Sequence, residues 1–274
     1  MLYLPTPAQF RRMTTEELRA HFLVPDLFIP DALVLKLVDL DRAVLGGAVP
    51  VTAALRLEAP EALRAEYFTE RRELGVLNTG GAGRVAVDRS IHELAAHDVL
   101  YIGRGAREIV FESNDPVTPA RFYIVSYAAH TTYPTTLVRR ADADAGQLGT
   151  AERANKRTVR RYIHMGGARS AQLVMGVTTL EPGSVWNTMP AHTHHRRTEV
   201  YLYFGVPADE MVVHLVGEPS ETRHLIARDG DVALSPGWSI HAGCGTGAYS
   251  FCWAMGGENQ DYADMQPAPT NSLR

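Results

Sequence analysis

The sequence predicts a mainly β protein, a β-sandwich or a barrel, and two observations carry that prediction. Short runs rich in Val, Ile, Tyr and Phe recur along most of the chain, separated by Gly, Asp, Asn or Pro. Few helical stretches come between them, and many short strands at even spacing are the pattern of sandwiches and barrels. In order, strands are expected at 33–40, 84–88, 98–103, 107–113, 121–127, 172–180, 199–204, 211–217, 222–227, 231–235 and 248–256. One short helix is expected near the start. There Thr14 and Thr15 offer a cap, Glu16 and Glu17 sit in the first turn, and Pro25 and Pro30 end the run.

The stretch 139–157 is polar, rich in Ala and Gly, and without strand pattern. It reads as a connection with room for a short helix. The expected division is therefore an N-terminal β unit over 1–140, a connection over 141–160 and a C-terminal β unit over 161–274. A weak internal repeat supports two units. Asp98-Val99-Leu100-Tyr101-Ile102-Gly103 resembles Asp231-Val232-Ala233-Leu234-Ser235-Pro236, each after a turn and before another strand. On that register Glu108 falls opposite His241, and nothing in the first half matches His192 and His194.

The 274 residues are 45% apolar and 21% charged, with a net charge of −4, and the pI is near 6.3. That balance gives no reason to expect nucleic acid or an anionic membrane as partner. Lys156, Arg157, Arg160 and Arg161, flanked by Glu152 and Arg153, form the nearest thing to a basic cluster and read as a solvated helix face. Cys244 and Cys252 have no CxxC spacing and read as small buried hydrophobes of a reducing compartment. The first residues lack the basic and apolar regions of a secretory signal, and no apolar run approaches 18 residues. A cytoplasmic protein is the expectation.

Chemistry concentrates in 181–205 and 230–241. In a strand, His192 and His194 project to one face about 6–7 Å apart, near enough for two imidazoles to lean onto one ion. Glu199 lies five residues past His194, an odd step that requires a turn between them, at His195 to Thr198. The next strand then returns its carboxylate to the same ion. His241, expected to end a strand after Pro236-Gly237, completes three nitrogens and one carboxylate. That set suits Zn, Fe, Mn, Co or Ni, with zinc first on general frequency and one ion per subunit.

The pattern Gly183…His192-x-His194-x4-Glu199-x5-Gly205, followed by Gly230-Asp231-x4-Pro236-Gly237-x3-His241, resembles the two motifs of the cupin superfamily. The second departs from the usual spacing and lacks the later Asn. More specific strings are 71–81, 129–135, 186–204, 218–226, 236–243 and 256–260. They resemble the 5-keto-4-deoxyuronate isomerase family from near residue 30 to the end of the chain. The resemblance implies two cupin-like β-barrels with few short helices, only the second holding metal, and a homohexamer. It also implies zinc on His192, His194, Glu199 and His241. The implied reaction is an aldose–ketose isomerisation. It converts 5-dehydro-4-deoxy-D-glucuronate (4-deoxy-L-threo-5-hexosulose uronate) to 3-deoxy-D-glycero-2,5-hexodiulosonate in pectin and uronate breakdown. His195 stands where relatives are expected to carry an acid.

Such a reaction moves a proton between adjacent carbons and needs a base within hydrogen-bond reach. Glu199, Tyr201 and Tyr203 are the catalytic candidates, with Glu258 or a metal-bound water as further bases, and a hydride shift stays open. Arg196 and Arg197 beside the metal loop are candidates to grip a uronate carboxylate. Trp186 and Trp238 are candidates to stack on the sugar, and His130 to touch it. His195 reads as surface, and His214 and His224 as barrel wall. Two rival readings are an Fe(II) cupin dioxygenase and a non-catalytic cupin that binds a sugar acid.

Overall fold

A computed structural model describes residues 1–274, and the chain divides into two compact β units. The first comprises Met1, Asp26–Asp144 and Arg161–Met175, and the second Leu2–Pro25, Ala145–Arg160 and Gly176–Arg274.

In the first unit a six-stranded sheet runs in the order Thr136–Val138, Val99–Ile102, Arg72–Asn78, Phe122–Ala128, Val44–Ala48, Leu33–Leu37. It faces a four-stranded sheet of Leu55–Arg56, Ile109–Ser113, Gly83–Val87 and Ser90–Leu94. The core lies between the sheets, with Leu74, Val76, Leu100 and Ile124 from one meeting Val85, Val87, Ile109 and Phe111 from the other. Alternation along Arg72–Asn78 sends Leu74 and Val76 inward and Glu73 to the opposite face. There the fully buried Glu73 accepts hydrogen bonds from the N–H groups of Ala171 (2.7 Å), Gln172 (2.9 Å) and Leu173 (2.9 Å) and from Tyr101 Oη (2.8 Å).

The second unit repeats this plan. Its large sheet contains, in order, Leu23–Val24, Val232–Ser235, Arg197–Phe204, Ser250–Gly257, Val174–Leu180, Arg157–Ile163 and Asp144–Leu148. The smaller sheet is Trp186–Asn187, Ile240–Gly245, Val212–Glu218, Glu221–Ala227, and a two-stranded ribbon pairs Ala191–Thr193 with Gln266–Ala268. The repeat seen in the sequence holds in the register. Leu77 pairs Val99 and Leu74 pairs Ile102, as Leu202 pairs Val232 and Glu199 pairs Ser235. With Asp98 set on Asp231, Leu74 stands where Glu199 stands, so the first barrel has an aliphatic side chain in place of that carboxylate. Glu108, opposite His241 on the same register, is exposed and ion-paired to Arg56 at 2.7 Å.

The expected mainly β, two-barrel cupin-like fold is the fold observed, and the expected Thr14 cap is present as a full capping box with Glu17 on the helix Thr15–Phe22. Three expectations differ from the structure. The start of the chain, placed with 1–140, folds with the second unit, because Leu23 and Val24 pair with Ala233 and Val232. Phe10 and Phe22 also pack edge-on against Trp238. The stretch 141–160 contains no helix; it carries the strand Asp144–Leu148 and the start of Arg157–Ile163. The basic cluster 156–161 is accordingly strand rather than helix face, with Arg161 paired to Asp144 at 2.8 Å.

Candidate metal centre

Three elements of the second unit bring the four expected ligands together. His192 lies in Ala191–Thr193, held opposite Pro267, and His194 follows directly. A turn at His195 and Arg196 reverses the chain, and Arg197–Phe204 then carries Glu199 back, paired to Ser235 and Met255. The turn is pinned where the His195 N–H donates to Gln266 Oε1 at 2.9 Å. His241 comes at the start of Ile240–Gly245 rather than at a strand's end. The Pro236–Ser239 turn, closed by Ser239 N–H to Pro236 O at 2.8 Å, separates it from the strand before.

One donor atom from each of these residues lies within 4.8 Å of all the others. His192 Nε2 is 3.1 Å from His194 Nε2 and 3.0 Å from His241 Nε2. Glu199 Oε2 is 3.4 Å from His194 Nε2 and 2.8 Å from His241 Nε2. The rings of His194 and His241 stack at 7°, and His192 stands at 90° and 88° to them. Ligands about 2.0–2.1 Å from one ion, at angles from right to tetrahedral, lie roughly 3.0–3.4 Å apart. Glu199 Oε2 is buried with no aligned hydrogen bond despite its close nitrogens. Nδ1 of His194 and of His241 is likewise buried without a protein partner. This is the geometry of donors converging on an ion rather than sharing protons, so the residues present fit a divalent metal.

The electrostatics agree. Burial, then the neighbouring His241, push the His192 imidazole down to about 3 against the pull of Glu199, leaving it in the neutral, ligand form. Burial alone would raise the Glu199 carboxyl, but the His241 and His194 imidazoles outweigh it and hold the group below the usual carboxylate range.

The barrel wall beneath the ligands is aromatic and polar. Tyr201 Oη lies 3.0 Å from Thr188 Oγ1, and its ring centroid is 5.4 Å from that of His241. Tyr203 Oη lies 2.6 Å from Nδ1 of the buried His214, while Asn187 Nδ2 donates to Tyr249 Oη at 2.6 Å. Gly243 leaves room for this cluster. A Cβ there would stand 2.8 Å from Asn187 Nδ2, 2.9 Å from Tyr203 Oη and 3.2 Å from Tyr249 Oη. Burial first, and then the Glu199 charge for Tyr201 and Tyr249 for Tyr203, raise both phenols well above their ordinary range.

The remaining expected residues fall elsewhere. Gly243 and His241 share the inward face, and Asn187 pairs with Gly243 while Trp186 pairs with Cys244. Alternation therefore turns Trp186 to the outer face, where it lines a cavity of about 420 Å³ with Arg153, Asn155, Met189, Pro190 and Thr270. Trp238 packs on Phe10 and Phe22, and His130 is an exposed residue of the first unit. Arg197 is buried, donating to Asp261 O at 2.8 Å and Glu258 O at 2.9 Å. Arg196 pairs with Asp264 at 2.6 Å and Glu258 at 3.0 Å. His195 is exposed and His224 faces outward, whereas Cys252 is buried and Cys244 half-buried.

Sequence reasoning missed Asn187, Thr188, Tyr249 and Gly243, whose only signal is their place opposite other strands. It also missed the half-buried Arg157, whose charge is felt at Tyr201 and Tyr249 and whose Nη1 donates to Asn155 O at 2.8 Å.

Comparison with known proteins accords with this geometry. A model of the KduI/IolB family matches residues 32–270. A Kineococcus radiotolerans protein named 4-deoxy-L-threo-5-hexosulose-uronate ketol-isomerase is 51% identical over 275 residues, 99% of each chain. A protein of the same name from Lachnoclostridium phytofermentans is 49% identical over 269 residues, 98% of each chain. Among solved structures, an IolB-like protein from Salmonella typhimurium superposes with a TM-score of 0.70 at 11% identity, covering 90% of this chain and 96% of its own. The Lactobacillus farciminis oxalate decarboxylase formate complex gives 0.61 at 12% identity over 88% and 87%. At such identities those two structures speak for the fold alone. The full-length relatives and the family model place the assignment beyond the fold: this chain belongs to the KduI/IolB family.

Proposed function

We propose that the protein is a metal-dependent ketol-isomerase that converts 4-deoxy-L-threo-5-hexosulose uronate to 3-deoxy-D-glycero-2,5-hexodiulosonate. The observation that carries the reading is the pairing of about half-identical, full-length relatives named for that activity with an intact four-ligand centre. On this reading zinc is the resident ion, the enzyme is a cytoplasmic homohexamer, and its place is uronate and pectin catabolism.

His192, His194, Glu199 and His241 would hold the ion, which when bound supplies a Lewis acid for the substrate carbonyl. The reaction takes a proton from the hydroxyl-bearing carbon beside the aldehyde and delivers one to the aldehyde carbon. The raised phenols make Tyr201 and Tyr203 hydrogen-bond donors at neutral pH rather than bases. Tyr201, beside the ligand His241, is placed to donate to a substrate oxygen, and Tyr203, paired to His214, holds the wall behind it. Glu199 serves as ligand, with its lowered carboxyl suited to that duty. For the substrate carboxylate we assign Arg196, whose half-buried guanidinium can exchange Glu258 or Asp264 for it. Arg197 instead fastens the 258–261 segment.

The test is to mix purified protein with the 5-keto-4-deoxyuronate and follow the carbon-bound protons by NMR. Appearance of the 2,5-diketo acid supports the proposal. An unchanged substrate in the presence of metal-loaded protein overturns it.

A further inference from the structure

The first unit contains a cavity of about 230 Å³ lined by Arg42, Leu63, Ala65, Phe68, Arg71, Arg72 and Ala128, three of them arginines and none of them acidic. Arg72 is the innermost. It is an inward-facing residue at the end of its strand and only 7% exposed. Its guanidinium donates to Ser126 Oγ (3.1 Å), Ser126 O (2.8 Å) and Arg42 O (2.6 Å), and all three acceptors are neutral. A buried cation without a counter-charge is costly, and the cost falls when an anion is bound beside it. Burial first, and next the like charge of Arg42, push the guanidinium down to about 10.

The two other arginines form the rim. Arg42 is exposed, and Arg71, which donates to Arg64 O, meets a single carboxylate, Glu70 at 3.4 Å. The remaining walls, Leu63, Ala65 and the buried Phe68, are apolar. Three arginines lining one cavity together with aliphatic and aromatic side chains suit an oxyanion that carries a carbon skeleton. The volume is smaller than that of a drug-sized site and matches a small acid.

We propose that this cavity is a second ligand site, separate from the metal centre, that binds a small organic carboxylate of the sugar-acid class through Arg42, Arg71 and Arg72. The site lies wholly in the first unit, and only the choice of a sugar acid as its ligand rests on the proposed function.

The experiment titrates metal-loaded protein with galacturonate, using ligand-observed NMR and thermal unfolding, with galactose and salt of equal ionic strength as controls. Because Arg72 is built into the barrel end and its loss can unfold the unit, the test variants are Arg42→Ala and Arg71→Ala. Galacturonate should bind and raise the melting temperature where galactose does not. Each variant should weaken that binding about tenfold or more, the loss of one charge-assisted contact, with isomerase turnover unchanged. Galacturonate binding that is absent, or equal in wild type and both variants, overturns the proposal. So does a site that takes inorganic phosphate and refuses galacturonate.

Discussion

Glu73→Gln probes how the first barrel is secured. Four donors converge on the two carboxylate oxygens of this fully buried residue. Oε1 takes the Gln172 and Leu173 N–H groups, and Oε2 takes the Ala171 N–H and Tyr101 Oη. An amide of the same shape keeps one acceptor oxygen and turns an NH2 group on the other two donors. With the NH2 on the Oε2 side the Tyr101 hydroxyl turns and accepts from it, while the Ala171 N–H loses its partner and faces another donor, at about 1–3 kcal/mol. The expected loss is roughly 1–3 kcal/mol, with no cavity created. Thermal and urea unfolding of the two proteins measure it. Because the residue lies in a unit without ligands, metal content should be unchanged. A Glu73→Gln protein within about 0.5 kcal/mol of wild type would contradict this, since the Ala171 N–H would then lose its acceptor at no cost.

Three further outcomes follow from the second unit. Gly243→Ala should destabilise by about 1–3 kcal/mol, because the new methyl meets Asn187 Nδ2 and Tyr203 Oη inside 3.0 Å; unchanged melting would show that the polar cluster yields freely. His214 is held down to about 3, chiefly by burial and next by His241, so it stays neutral when folded and takes a proton near 6.5 when unfolded. Its share of stability is therefore complete above about pH 6.5 and is lost as pH falls toward 3. His192 acts in the same direction, so the comparison is wild type against His214→Gln, whose acid limb of the stability curve should be shallower by several kcal/mol; identical limbs would contradict this. Arg196→Ala should raise KM about tenfold or more with kcat little changed and melting unaltered, whereas Arg197→Ala should lower melting by stranding the Glu258 and Asp261 carbonyls. Equal KM in wild type and Arg196→Ala would remove Arg196 from carboxylate binding.

The convergence of the four candidate ligands is legible in the sequence because strand alternation and one forced turn are local rules, and they suffice to carry His192, His194 and Glu199 to a common point. His241 came from spacing after a Pro-Gly turn, where only its position within the strand differed. What could not be read depends on partners distant in sequence. Trp186 and Asn187 are adjacent, yet pairing with Cys244 and Gly243 sends one outward and the other into the barrel. Arg197 looks like a free cation beside its neighbour until the chain returns 61 residues later to offer the Glu258 carbonyl. The segment 144–148 reads as linker because its five residues have no apolar alternation; all but one are exposed, and pairing at a sheet edge makes it a strand. The start of the chain adds to the second barrel's sheet through Leu23 and Val24, too short a run for any periodicity to announce.

Metal content and turnover, measured together on wild type and His192→Ala, test whether the reaction depends on an ion at this centre. His192 lies in a three-residue strand outside the main core clusters, so the variant should keep the native circular dichroism spectrum. About one divalent ion per wild-type chain is expected, with little or none in His192→Ala and turnover lost in proportion. Full isomerase turnover by a folded His192→Ala protein that carries no metal would contradict it.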